Sequence, residues 1–298
     1  MKRIISLLMT AILLVSFVSC TGGNTNTPEN NGEVRASIAE AKNLADLKGR
    51  KIAAQAGTFH ADALAQIENV EGSTYPEFAD LLTALKSGAI EGYVAEEPTA
   101  ISVCGSDDSL SYLKLVNNDT GFTATAADVG IAVGVVTGSE LRDKINGVLA
   151  DVTVDMQKQL MEQMIKISNG EEVTSLAIES EEPANPTGTL KVAMECAYEP
   201  YNWTEVGEKS VGCVPISGEG KEGMFANGYD VQMAKYIANK LGMKLEIYAI
   251  EWDSLLPALQ SGTVDAIIAG MSPTEEREQE IDFTNCYYES NLVVIIKK

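Results

Sequence analysis

Histidine is almost missing from this chain, with His60 the single example in 298 residues. That scarcity excludes His-rich metal sites and any mechanism needing two imidazoles, and no cysteine spacing supplies another metal motif. One histidine by itself is read as a surface or packing residue. Basic residues are also few, 22 against 43 acidic ones, for a net charge of −21. Such a chain repels phosphate backbones and anionic headgroups, so neither nucleic acid nor a charge-held membrane surface is an expected partner.

Beyond these absences the first feature present is a largely apolar run over 4–18, set behind Lys2 and Arg3. It is too short for a comfortable membrane span and has the pattern of an export signal covering 1–20. Its ending, Phe17-Val18-Ser19-Cys20, resembles a bacterial lipobox with phenylalanine where leucine is usual. That motif would leave Cys20 as a lipidated first residue. The polar stretch TGGNTNTPENNGE then offers almost no apolar surface to offset the entropy of ordering, so 21–35 reads as a tether. Setting Cys20 aside leaves Cys104, Cys196, Cys213 and Cys286. In an exported chain these can pair in any of about three ways, with Cys196–Cys213 preferred because both fall in the same half.

The most informative pattern is an internal repeat. WDSLLPALQSGTVDAIIAGMSPTEER at 252–277 is echoed by FADLLTALKSGAIEGYVAEEP at 78–98. In each copy a short amphipathic helix stops at Ser-Gly, and an apolar run then ends in polar residues, the order of helix, turn, buried strand and site. Two similar α/β halves are implied, and the length accommodates two lobes. In the first half, 51–55 reads as a strand, Gly57-Thr58 opens a helix, 129–136 reads as another strand, and 139–167 as one helix. The polar, acidic stretch 171–187 with Pro183 and Pro186 is a linker. In the second half, 190–194 is a strand, Asn227-Gly228 signals a hairpin-type turn, Asp230 caps a helix ended by Gly242, and 292–296 is a final strand.

Ser272-Pro273-Thr274-Glu275 has the form of a capping serine, a proline at the first helical position and a glutamate three residues after the cap. A helix starting directly after a buried strand offers free N–H groups to an anion, and Arg277 one turn in adds a bidentate grip on a carboxylate. Thr58 marks a second helix start in the other half. Tyr198, Tyr201 and Trp252 follow strand ends, as do Glu96 and Glu195.

These segments resemble the bacterial extracellular solute-binding proteins, family 3, which feed polar amino acids to ABC importers. NGYDVQMAKYIANKLG, the 252–277 segment and IDFTNCYYESNLVV look like the family's first lobe. ADLKGRKIAAQAGTFH, the run to EGYVAEEP and VGIAVGVVTGSELRDKINGVLAD look like its second lobe and closing helices. The resemblance implies a two-lobed, type II periplasmic-binding-protein-like α/β fold with a hinge between lobes. The order departs from the family, so the chain looks circularly permuted, with 36–128 as second lobe, 129–170 as hinge strand and closing helices, 171–187 as linker and 188–298 as first lobe. On that basis 129–136 and 292–296 are expected to be neighbouring hinge strands.

Carried over residue by residue, the resemblance makes Arg277 the clamp for a ligand α-carboxylate, helped by Thr58 and Ser272. Gly270 would offer its carbonyl and Glu96 its carboxylate to the α-ammonium. Tyr198 and Trp252 would flank the side chain, and Glu195 would face its far end. Aspartate is common at the positions matching Glu96 and Glu195. The implied protein is an exported, lipid-anchored, monomeric binder of a polar and preferably cationic amino acid. It would have no catalytic residues, metal or cofactor and would deliver its ligand to a membrane permease. The rival readings are a dehydratase on the same fold and a ligand-sensing module.

Overall fold

The computed structural model describes residues 36–207 and 209–298. The expected export signal, Cys20 and the tether at 21–35 fall outside the described residues. No helix among the described residues is long and apolar enough to cross a membrane.

Two five-stranded sheets carry the fold, one per lobe. The first has the spatial order Ser73–Tyr75, Ile52–Gln55, Gly92–Glu96, Leu292–Lys297, Leu110–Leu113. The second has the order Lys244–Ala249, Thr189–Met194, Ala266–Ile267, Gly134–Val135, Asp282–Phe283. In each sheet the leading three strands are parallel, and the fourth runs antiparallel to both of its neighbours. The two lobes therefore share one topology. Along the first sheet Ile52, Ala54, Val94, Val294 and Ile296 belong to one core cluster, while the alternate residues Ala53, Tyr93, Ala95, Val293 and Ile295 belong to another. A period of two with both faces apolar is what a sheet covered on both sides requires.

The internal repeat occupies matching places in the two lobes. Helix Phe78–Ser87 buries Leu81, Ala84 and Leu85 and ends at Gly88, whose φ of 78° is the left-handed conformation that stops a helix cleanly. Helix Leu255–Gln260 buries Leu255 and Leu259 and is followed by Gly262 at φ 74°. After each turn comes the central parallel strand, Gly92–Glu96 or Ala266–Ile267.

The fourth strand of each sheet comes from the other half of the chain. Leu292–Lys297 follows the 188–291 segment but lies in the sheet of the 36–128 lobe, so the first-lobe boundary expected at 298 moves to about the crossing before that strand. Conversely, Gly134–Val135 lies in the 188–291 lobe. The chain crosses between lobes twice, and at the crossing Gly130–Ile131 pairs antiparallel with Tyr288–Glu289. The run 129–136 is thus two short strands with a break between them, and neither meets 292–296: Gly130–Ile131 pairs with Tyr288–Glu289, and Gly134–Val135 with Ala266–Ile267 and Asp282–Phe283.

Several local expectations change. The 139–167 helix is two helices, Leu141–Leu149 and Val154–Ser168, because the Thr153 side chain accepts from the Met156 N–H and starts a new one. Asn227 ends strand Met224–Asn227, and Gly228 rather than Asp230 is the N-cap of Tyr229–Lys240, so no hairpin forms there. At Gly228 a Cβ would meet the Tyr201 carbonyl oxygen at 2.3 Å, which only glycine avoids. The 171–187 linker is packed against the lobe. Ile178 is 3% exposed within the core, Gln163 Oε1 accepts from the Ala177 N–H, and Asn239 donates to the Ser180 carbonyl.

All four described cysteines are free, which corrects the Cys196–Cys213 preference. Cys213 and Cys196 adjoin opposite edges of a four-stranded sheet, ordered Val214–Pro215, Met224–Asn227, Asn202–Val206, Ala197–Tyr198. Three strand spacings, about 14 Å, separate those edges, twice the reach of a disulfide.

Candidate ligand-binding site

The C-terminal ends of the parallel strands in both lobes point at one cleft, the usual position for a ligand in an open α/β sheet. Gln55 ends one strand and Glu96 another in the 36–128 lobe. Glu195 and Gly270 follow the corresponding strands of the opposite lobe. A small cavity of about 20 Å³ lies between them, and it is lined by all eight residues singled out from the sequence: Thr58, Glu96, Glu195, Tyr198, Trp252, Gly270, Ser272 and Arg277. Gln55, Phe59, His60 and Phe78 complete its wall.

At one end the Arg277 guanidinium donates through Nη1 to the Ser272 carbonyl at 2.8 Å and through Nη2 to the Gly57 carbonyl at 2.8 Å. It lies 5.2 Å from the Trp252 ring centroid, a cation-π distance. No carboxylate is within ion-pair distance of Arg277 among the described residues, and burial pulls its pKa down to about 10. The helix that carries it, Glu275–Glu278, is a single turn capped by Thr274, whose hydroxyl accepts from the Arg277 N–H. Ser272 is therefore not the cap. Pro273 fills the position before Thr274, and the Ser272 hydroxyl instead donates to the Asp128 carbonyl at 2.9 Å, leaving its own carbonyl to hold Arg277. Thr58 likewise caps nothing with its side chain and donates to the Gln55 carbonyl at 2.8 Å.

In the middle of the cavity Tyr198 stacks on Phe78, with centroids 4.2 Å apart and planes 8° from parallel, and donates its hydroxyl to Glu96 Oε2. The other Glu96 oxygen is 3.0 Å from His60 Nε2. His60 is thus a buried wall residue of the site, against the expectation of a surface or packing role, and its Nδ1 has no partner. Gly270, at φ 62°, has Tyr198 so close that a Cβ would sit 3.2 Å from the ring. Its N–H is held by Asp230, which is fully buried and also accepts from Asn202 at 2.8 Å and Tyr287 at 2.7 Å. Burial pushes Asp230 up to about 7 against those three donors. Asp230 is thus an anchor for the cavity floor, where the sequence pattern offered a helix cap.

At the far end Glu195 Oε1 accepts from Gln55 Nε2 at 3.0 Å, while Oε2 is buried without a donor. Burial, and then the facing Glu77 carboxyl group, raise the Glu195 pKa. Glu77 is raised as well, by burial first and by Glu251, Asp80 and Asp253 around it. No cluster of three or more metal-ligating side chains exists among the described residues.

The two lobes and the cleft between them define a binding-protein architecture of the periplasmic kind, and the comparisons agree. Residues 210–298 match the bacterial extracellular solute-binding proteins, family 3, and through this segment the chain is related to that family. The arginine-binding extracellular protein ArtP of Bacillus subtilis is 41% identical over 80 residues, 27% of this chain and 31% of that protein. The ABC transporter glutamine-binding protein GlnH of the same organism is 36% identical over 87 residues, 28% of this chain and 30% of that protein. Each match therefore spans about a third of the relative's length. An ancestral cationic amino acid solute-binding protein of known structure is 30% identical, covering 32% of this chain and 34% of that one with a TM-score of 0.24.

Proposed function

We propose that the chain is an exported, lipid-anchored carrier that closes its two lobes on a cationic L-amino acid and presents it to an ABC permease. The observation that carries this reading is the Arg277 guanidinium, which is partly buried, charged and held by two neutral carbonyls at one end of a cavity whose acidic walls are Glu96 and Glu195. A ligand α-carboxylate would replace those carbonyls with a bidentate ionic partner, the geometry a planar guanidinium favours. Glu96 would take the α-ammonium with the Gly270 carbonyl. The stacked Tyr198 and Trp252 would flank the side chain, and Glu195 would meet its positive end. An acidic ligand would instead place like charges together beside a carboxylate that lacks a donor.

Each lobe supplies part of this set, so ligand favours the closed state in proportion to its better fit there. The carboxylates Glu96 and Glu195 serve binding in this scheme, and the protein acts as a carrier rather than a dehydratase. It works as a monomer. Circular permutation is part of the reading, supported by the order of the two halves and by Ile38, at the start of the described chain, packing in the same core cluster as Leu292, Val294 and Ile296 of the last strand.

A thermal-shift screen of the common L-amino acids tests the assignment. Arginine or lysine at a hundred times its dissociation constant should add about 2.7 kcal/mol of stability. Glutamate should add none. Stabilisation by glutamate above arginine would reverse the ligand class, and turnover of a prephenate-like substrate would replace the carrier with an enzyme.

A further inference from the structure

Glu77 has no part in the scheme above, yet its carboxyl group, from the 36–128 lobe, faces the Glu195 carboxyl group of the other. It stands at the N-cap position of Phe78–Ser87 but makes no side-chain capping bond. Its carboxyl group is instead within hydrogen-bonding reach of Glu195. Gln55 fixes the approach: its amide donates at 3.0 Å to Glu195 Oε1 and at 3.0 Å to the carbonyl of Pro76, the residue before Glu77. Phe78, the residue after Glu77, is stacked on Tyr198 of the opposite lobe. The pair is thus clamped on both sides.

Two ionised carboxylates cannot share this position cheaply, and one of them, through Glu195 Oε2, is buried without a donor. The groups that act most strongly on the pair are Glu251, Asp80, Asp253 and Asp230, all acidic, with the neutral Gln55 amide beside them. A single proton between the two carboxyl groups would supply the missing donor and remove the repulsion, as in other carboxylate dyads.

We propose that Glu77 and Glu195 form an inter-lobe pair that must take up one positive charge when the cleft shuts, either a proton or the cationic end of the ligand side chain. The proposal rests on the reading of this cavity as an amino acid site. Glu77 then joins Glu195 in determining specificity, and discrimination between a cationic ligand and a neutral one of the same shape depends on pH. With a neutral ligand the closed complex binds one proton more than the free, open protein. Because the proton is held above the ordinary carboxylate range, neutral-ligand affinity is fully present at low pH and falls as pH rises through the window up to the raised pKa. A cationic ligand displaces the need for that proton and keeps its affinity.

L-arginine and L-citrulline, which share shape and differ in charge, are the probes. Calorimetric affinities of the full chain should give an arginine-to-citrulline ratio that rises by up to about tenfold per pH unit from pH 5 upward, the slope that linkage assigns to one proton. Calorimetry in buffers of different ionisation enthalpy should count about one more proton taken up with citrulline than with arginine. Glu77→Gln should flatten the ratio, because an amide can donate to Glu195 without a proton. A ratio that stays constant between pH 5 and pH 8 in the parent, citrulline that does not bind even at pH 5, or a slope that survives Glu77→Gln would each overturn the proposal. Failure of both ligands to bind the parent would instead remove the amino acid site itself.

Discussion

A single backbone oxygen, that of Gly57, gathers two donors from the opposite lobe: Arg277 Nη2 at 2.8 Å and Trp252 Nε1 at 3.3 Å. In the proposed scheme a ligand carboxylate entering beside Gly57 would compete for both, which would put Arg277 at the point where binding and closure meet. Replacing Arg277 with alanine should therefore cost about 2 to 5 kcal/mol of binding, the range for losing one partner of a desolvated charge pair, while the fold remains. Calorimetry that finds an affinity within about threefold of the parent, roughly 0.7 kcal/mol, would take Arg277 out of the site. At this scale the sequence was informative where residue type alone limits the role. A guanidinium just after a buried strand, and carboxylates at strand ends, are chemically conspicuous. Glu77, His60 and Phe78 were not: an acidic residue before a helix looks like a dipole partner, one histidine looks like packing, and Phe78 looks like core. Only the stacking of Phe78 on Tyr198, and of one lobe on the other, gives them their positions.

Among the elements, the 169–188 segment contrasts most with its sequence. Its acidic and proline content reads as a loose connection, and it has neither helix nor strand, yet Ile178 is buried and backbone groups are held by Gln163, Asn239 and Gly242. Ile178→Ala should lower the unfolding free energy by about 2 to 5 kcal/mol, the cost of a large-to-small change in a packed core. A change within about 0.5 kcal/mol in urea titrations, the size typical of surface positions, would mean that the segment is only a spacer. The repeat at 78–98 and 252–277 was legible because helix, glycine stop and buried strand each leave a periodic signature. The break between Leu141–Leu149 and Val154–Ser168 was obscured because apolar residues on both sides keep a helical spacing across it. Thr153 followed by Asp155 in the new first turn is the signal that marks the second start.

For the whole molecule the governing fact is the exchange of fourth strands. The repeat forecast two similar lobes, and the lobes do share one topology. What a linear pattern could not reveal is that Leu292–Lys297 is inserted between Gly92–Glu96 and Leu110–Leu113 of the other half, since strand order in space is set by long-range pairing. Fragments 36–187 and 188–298, made separately, should each lack stable structure by circular dichroism and hydrogen exchange, and should regain it when mixed. A fragment that folds alone with protected amides would show that the exchanged strand is dispensable.

The antiparallel contact between Gly130–Ile131 and Tyr288–Glu289 has a mechanical consequence. Two strands laddered together resist being stretched or slid past one another, because either motion breaks several backbone bonds at once, but a two-stranded ribbon twists and bends with little resistance. With both crossings bound into one such ribbon, the lobes keep little freedom to translate and retain mainly a rotation about it. In the proposed carrier the cleft would then open and shut along nearly a single coordinate, bringing Arg277 and Glu195 to their partners in the same stroke rather than one after the other.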